Sequence, residues 1–74
     1  MLNGLKRLET FHGYKMEEII GNSIDVYSSK GKIRIKNVKH IEAYNNGDLM
    51  FTDGVHYYLY NFKETRILVQ CTKK

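Results

Sequence analysis

The chain has 74 residues, no proline, no tryptophan, one cysteine and a formal charge of +4. This length predicts a single small domain over residues 1–74 with no room for a large catalytic cleft. One thiol cannot form a disulfide within the chain, and it fits a reducing compartment. The uncharged runs are too short for a signal peptide or a membrane span. We therefore expect a cytoplasmic domain that does not contact membranes.

The overall charge and composition favour nucleic-acid binding mildly. Lys and Arg outnumber Asp and Glu by 12 to 8, and the sequence pI is about 9.3, above the value of about 9 that is typical of nucleic-acid-binding domains. Hydrophobic residues supply 42% of the chain, which is typical of a folded protein. Lys, Ile, Asn and Tyr are abundant, a bias that accompanies AT-rich genomes and suggests a bacterial or phage source.

The N-terminal residues predict short helical segments. The spacing of three between Leu2, Leu5, Leu8 and Phe11 favours a helix over residues 2–11. Residues 14–20 fit either a helical turn or a strand. We favour the helix, because the tightest hairpin would place Glu18 opposite an aspartate, and such a like-charge pair costs stability.

From residue 23 onward the apolar residues recur with the period of a β-strand. The alternation predicts strands at residues 23–28, 32–36, 40–44, 48–52 and 55–61, and a last strand or short helix at 66–70. Turn residues separate these segments, and residues 37–39 predict a kink or bulge. The expected fold is mainly β: an antiparallel meander, or an SH3/Sm-like small barrel, of five to six strands with a short N-terminal helix.

The last clear hairpin has two apolar faces. A two-residue turn at Asp53-Gly54 predicts that Thr52 faces Val55. One face then carries Met50, Thr52, Val55, Tyr57 and Leu59, and the other carries Leu49, Phe51, His56, Tyr58 and Tyr60. Since a sheet with one solvated side should have a polar face, the second face needs a cover or a ligand. Three alternatives stand: burial under the N-terminal helix and in the core, a symmetric dimer through the aromatic face, or an exposed platform on which Phe51, His56, Tyr58 and Tyr60 stack on bases.

A basic segment precedes this hairpin. Its members are Lys30, Lys32, Arg34, Lys36 and Lys39, followed by His40, with no acidic residue from 26 to 41. On a strand, Lys32, Arg34 and Lys36 project to one face about 6.5–7 Å apart. The functional interpretation is a ridge that contacts nucleic-acid phosphates. The alternative is a solvated face, or an edge strand whose lysines discourage aggregation.

Motifs for catalysis are missing from the sequence. The three histidines stand alone, Cys71 is distant from them, and no pair has the spacing of zinc ligands. Gly47 and Gly54 belong to hairpin turns rather than to a phosphate-binding loop. We therefore expect no enzyme activity, no cofactor and no metal.

A strand, a short kink, a second strand and a hairpin follow one another in the middle of the chain. They comprise IKNVKHIEAY at residues 35–44, a turn at 52–54 and a Tyr pair at 57–58. This order resembles the first half of a LytTR-type DNA-binding domain, and the resemblance implies DNA binding. The second half of that domain, which supplies much of its DNA contact, has no room in this chain, so no binding residue is transferred. The likeness to an Sm-like barrel is one of architecture alone, because this sequence contains no characteristic Sm motif.

The sequence thus yields two functional hypotheses. The first is a small non-enzymatic domain that binds DNA or RNA through the basic strand and the aromatic hairpin face. The second is a protein-interaction module without a nucleic-acid role, such as an accessory or inhibitory protein of a phage or mobile element. Under this second hypothesis, the chain would bind a protein partner, or a second copy of itself, through the aromatic face.

Overall fold

Alternating apolar residues build two antiparallel sheets of three strands that share one hydrophobic core. The computed structural model describes residues 4–71. The elements in chain order are β1 (Thr10–Phe11), β2 (Tyr14–Lys15), α1 (Met16–Ile19), β3 (Ser23–Ser28), β4 (Gly31–Ile35), β5 (His40–Ala43), β6 (Asp48–Thr52), β7 (Tyr57–Asn61) and β8 (Arg66–Gln70). The predicted mainly-β, antiparallel character is confirmed, and α1 is a short helix.

The first of these sheets, which we call the basic sheet, has the strand order β4-β3-β8. Val26 at its centre lies opposite Ile33 on β4 and Ile67 on β8. Because side chains alternate along a strand, the flanking residue Asp25 and its cross-strand partner Arg34 point to the opposite face. The apolar residues therefore turn one face inward and leave a charged face outside.

The second sheet, which we call the tyrosine sheet, has the order β5-β6-β7. Phe51 on β6 is fully buried at its centre, opposite Ile41 on one side and Tyr58 on the other. The common core is formed by Phe11, Ile19, Ile24, Val26, Ile35, Val38, Ile41, Ala43, Leu49, Phe51 and Ile67. Burial of large aliphatic and aromatic side chains is the main favourable term in the stability of so small a domain.

Within the described residues, the chain does not form one continuous meander or a closed barrel. Strand β8 returns to pair with β3, whereas β4 and β5 belong to different sheets. Asn37 separates them with a φ of +60°, a left-handed conformation that asparagine tolerates better than most residues. The kink predicted at residues 37–39 is therefore the place where the chain leaves one sheet and enters the next.

The helix predicted over residues 2–11 is wrong for the part that the structure describes, and residues 2 and 3 lie outside it. Arg7 forms a β-bridge with Tyr44, and the Leu8 N–H donates to the carbonyl of Ala43 at 2.7 Å. The edge of β5 thus satisfies backbone groups that a helix would have paired internally. Leu5 is 62% exposed, so the spacing of three does not mark a buried stripe.

The helical preference for residues 14–20 is confirmed only for Met16–Ile19, because Tyr14 and Lys15 pair with β1 as β2. The backbone N–H of Lys15 donates to Oε1 of Glu18 at 2.8 Å, which satisfies one donor at the start of α1. Ile19 is fully buried. The short helix therefore serves to place one large side chain in the core. No helix in the described part of the chain is long and apolar enough to cross a membrane.

The register of the β6–β7 hairpin differs from the prediction by two residues. Thr52 lies opposite Tyr57, so the connection is the four-residue loop 53–56 rather than a two-residue turn. Oδ1 of Asp53 accepts hydrogen bonds from the backbone N–H groups of Val55 and His56, both at 2.9 Å. These bonds hold the pKa of Asp53 below its usual value. Because a shift of two residues preserves side-chain alternation, each strand residue keeps its predicted face.

Candidate functional site

The outer face of the basic sheet brings cations from both edge strands to either side of one tyrosine. Tyr27 on β3 lies directly opposite Lys32 on β4 and Arg66 on β8. Nζ of Lys32 is 5.8 Å from the centre of the Tyr27 ring, and Cζ of Arg66 is 5.5 Å from it. Both distances fall within the range of cation–π attraction. The ring therefore holds two cations on an outward face.

A buried carboxylate lies beside this group. Asp25 is fully buried, and its Oδ1 and Oδ2 accept hydrogen bonds from Nε and Nη2 of Arg34 at 2.7 and 3.0 Å. Nε2 of Gln70 donates to Oδ2 at 3.2 Å, and Nζ of Lys32 lies 3.9 Å from the same oxygen. The hydrogen bonds from Arg34 outweigh the effect of burial and hold the pKa of Asp25 below its usual value.

The same contact raises the pKa of Arg34, chiefly through its hydrogen bonds to Asp25. Of the five N–H donors of a guanidinium, two are used on the carboxylate. The Arg34 side chain is 44% exposed, and the remaining donors are available to a ligand. Asp25 thus fixes the orientation of Arg34 while cancelling part of its charge.

The predicted basic ridge is only partly assembled. Lys32 and Arg34 share the outer face of the basic sheet, Lys30 lies exposed in the β3–β4 turn, and Lys36 follows β4 directly. Lys39 comes after the bend at Asn37 and lies next to Gly54, so it belongs to the hairpin end of the tyrosine sheet.

His40 is also separate from the ridge. Its Nε2 lies 2.8 Å from Oε2 of Glu42, Nη1 of Arg7 lies 3.8 Å from that oxygen, and the hydroxyl of Tyr44 donates to Oε1 at 2.9 Å. Hydrogen bonds from His40 and then Tyr44 lower the pKa of Glu42, and the bond to Glu42 raises that of Tyr44. This cluster joins the N-terminal segment to β5.

The predicted aromatic face is core rather than open surface. Phe51 has no exposed surface, and its ring packs against Tyr58 and Tyr60 at centroid distances of 5.3 and 6.1 Å. Both tyrosines are half-buried against the core, and His56 is exposed in the hairpin loop. Phe51 therefore cannot stack on a base or join a dimer interface, because its face is already covered within the monomer.

Tyr27 and Arg66, which lie on the outer face of the basic sheet, were absent from the sequence-based prediction. Their signal was weak: Tyr27 alternates with the apolar residues of β3, and Arg66 opens a segment that fitted strand or helix. Only the pairing of β3 with β8 makes them neighbours. Within residues 4–71, no group of three or more His, Cys, Asp or Glu side chains is placed to hold a metal ion.

Comparisons of the chain with protein-family models, with curated proteins and with solved structures find no match. The likeness to the first half of a LytTR-type domain rests on the residues quoted for it alone. The geometry and the charges of the basic sheet are therefore the features that bear on function.

Proposed function

We propose that this chain is a small non-enzymatic domain that binds DNA or RNA in the cytoplasm through the outer face of the basic sheet. The observation that carries the proposal is the convergence of Lys32 and Arg66 on either side of Tyr27. Arg34 extends the same face along β4. Phosphate contacts from Lys and Arg supply most of the affinity of non-specific nucleic-acid binding.

The balance of charge on this face supports the proposal. Lys32, Arg34 and Arg66 share the outer face with a single carboxylate, that of Asp25, which is buried beneath Arg34. Lys30 and Lys36 lie at the two ends of β4. A phosphate backbone that crosses β4, β3 and β8 would therefore meet an excess of positive charge.

The arrangement favours contact with phosphates over base stacking. Lys32 and Arg66 both lie within cation–π distance of the Tyr27 ring, which limits the ring surface that is open to a base. The guanidinium of Arg34 is held in one orientation by two hydrogen bonds, a geometry suited to paired contacts with phosphate oxygens. We expect weak dependence on base sequence and strong dependence on salt.

The test is the salt dependence of binding in a double variant, Lys32→Gln with Arg66→Gln. Both side chains are exposed, so the fold should persist. Fluorescence anisotropy with labelled single-stranded and duplex oligonucleotides should show weaker binding, and the slope of log K against log salt should shrink by about two, roughly one for each lost phosphate contact.

The matched control is Lys6→Gln with Lys15→Gln, which removes the same charge from exposed residues outside the basic sheet. Its affinity and salt slope should stay near those of the unmodified chain. Equal losses in the two double variants would show that net charge alone governs binding, and the assignment of the site to the basic sheet would be wrong. Arg34 is left unchanged because its substitution would remove the hydrogen bonds that it donates to the buried carboxylate of Asp25.

A protein-interaction role is the second candidate, and it is favoured by a different observation. Val55, Tyr57 and Leu59 are large hydrophobic residues that are exposed on or beside β7. This apolar surface lies on the tyrosine sheet, on the face opposite to Phe51. A protein partner or a second copy would therefore bind away from the basic sheet, and the two roles are compatible.

A further inference from the structure

The tyrosine sheet ends at β7, which is hydrogen-bonded to β6 on one side and has no strand on the other within residues 4–71. An edge strand presents a row of backbone N–H and C=O groups that can pair with another strand. Natural proteins usually protect such an edge with charged residues, proline, a bulge or a covering segment.

Two other sheet edges, those at β5 and β4, carry such protection. The Leu8 N–H donates to the carbonyl of Ala43, and the Asn45 N–H donates to that of Lys6, so the N-terminal segment covers β5. Strand β4 carries Lys32 and Arg34. Strand β7, in contrast, consists of Tyr57–Asn61 with no charged residue and no proline, and none of the described chain covers it.

The side chains of β7 are also unusually exposed for their type. Tyr57 and Leu59 each expose 73% of their surface, and Met50 lies next to Leu59 on β6. Leu59 is the central residue of the strand, with a tyrosine on either side. Such a pattern is self-complementary, because an antiparallel copy that is centred on Leu59 places tyrosine beside tyrosine.

We propose that two copies of the chain associate through β7, paired antiparallel about a two-fold axis at Leu59. Leu59 then lies beside the same residue of the second copy, and Tyr58 lies beside Tyr60 of the partner subunit. The two tyrosine sheets become one continuous sheet of six strands. A symmetric interface of this kind uses one surface patch twice and closes on itself.

The expected affinity is modest. Pairing along an edge of five residues buries mainly backbone and the flanks of a few side chains, so the area lies below the roughly 1,200 Å² of stable specific interfaces. We therefore expect a reversible dimer with a Kd on the order of 100 μM. The absence of charge on β7 removes the repulsion that two basic chains would otherwise experience at the junction.

The two-fold symmetry has a consequence for nucleic-acid binding, and this consequence rests on the proposed function. A two-fold axis perpendicular to the joined sheet leaves both basic sheets on the same side of it, across the core. The outer faces that carry Tyr27 and Arg66 then point in one direction. A single nucleic acid could bridge them, and such bridging raises apparent affinity without new contacts.

The first test measures association in the absence of nucleic acid, so its outcome is independent of the proposed function. Sedimentation equilibrium over about 10 μM to 1 mM should show a monomer–dimer equilibrium. Leu59→Lys places two like charges side by side at the axis and should weaken association about tenfold or more. The control is Leu5→Lys, at an exposed apolar residue of the N-terminal segment. This segment lies along β5 at the opposite edge of the tyrosine sheet, so the substitution should leave association unchanged.

The second test fixes the register by disulfide formation, after Cys71→Ser removes the natural thiol. Leu59→Cys brings two thiols together at the axis and should give a covalent dimer under mild oxidation. Tyr57→Cys should not, because its counterparts lie four residues apart along the joined strands, about 13 Å and beyond disulfide reach. A chain that stays monomeric over this range, an unchanged Kd in Leu59→Lys, or equal cross-linking of both cysteine variants would each overturn the proposal.

Discussion

Asp25 shows how one residue links the stability of this fold to its charged surface. The carboxylate is fully buried, yet it accepts hydrogen bonds from Arg34 and Gln70. Burying a charge without such partners would cost several kcal/mol, about 3–5 in proteins where one partner has been removed. Lys32 also lies within 3.9 Å of the carboxylate. The carboxylate of Asp25 therefore orients Arg34 and lies close to Lys32, and both are residues of the candidate site.

This pairing predicts a specific pH dependence. The folded state lowers the pKa of Asp25, mainly through the hydrogen bonds of Arg34, so the unfolded chain binds the proton more readily. The contribution to stability is then fully present above the ordinary pKa of about 3.9 and is lost as the pH falls through the lower folded value. Urea denaturation from pH 7 to about pH 2 should show that the stability advantage of the unmodified chain over Asp25→Asn shrinks below about pH 4.

Glu42 and Asp53 also have lowered pKa values. Both residues are present in the unmodified chain and in Asp25→Asn, so their effects cancel when the stabilities of the two proteins are subtracted. The charged and polar groups that face Asp25 are Lys32, Arg34 and Gln70. If the two stability curves stay parallel throughout, Asp25 is not held in its ionised form by the fold.

At the scale of single elements, the β6–β7 loop depends on one buried hydroxyl. Thr52 is 6% exposed, and its Oγ1 donates to the carbonyl of His56 at 2.7 Å and accepts from the Gly54 N–H at 2.9 Å. These bonds and those of Asp53 stabilise a loop of four residues, where the Asp-Gly pair alone predicted two.

Thr52→Val keeps the shape of the side chain and removes both hydrogen bonds. We expect it to lower the free energy of unfolding by about 1–3 kcal/mol, measured by urea denaturation at neutral pH. Thr10→Val, at an exposed residue of β1, is the control and should change stability by less than about 0.5 kcal/mol. Equal effects of the two substitutions would mean that the hydroxyl of Thr52 does not determine the loop.

The strands were largely predictable because alternation is a local signal that needs no partner. Ser23–Ser28 and Asp48–Thr52 match their predicted bounds. The N-terminal segment was not predictable, because its backbone is paired by the distant edge of β5 at Ala43. Lys32 and Arg34 of the candidate site followed from the sequence, whereas Arg66 joins them only through the pairing of β8 with β3. Such long-range pairings leave no local pattern.

At the scale of the whole molecule, the outer faces of the two sheets differ in charge. The outer face of the basic sheet concentrates positive charge around Tyr27, and the outer face of the tyrosine sheet exposes uncharged side chains such as Leu59. Between them lies a core that includes Phe51. The proposed phosphate binding and the proposed self-association therefore use different surfaces of the same small chain.

The location of nucleic-acid binding can be measured residue by residue. Titration of ¹⁵N-labelled protein with a short single-stranded oligonucleotide, followed by backbone amide chemical shifts, should perturb Tyr27, Lys32 and Arg66, together with their neighbours on β3, β4 and β8. The amides of β7 should remain unchanged at protein concentrations below the dimer Kd. Perturbations confined to the tyrosine sheet, or no perturbation at low salt, would contradict binding through the basic sheet.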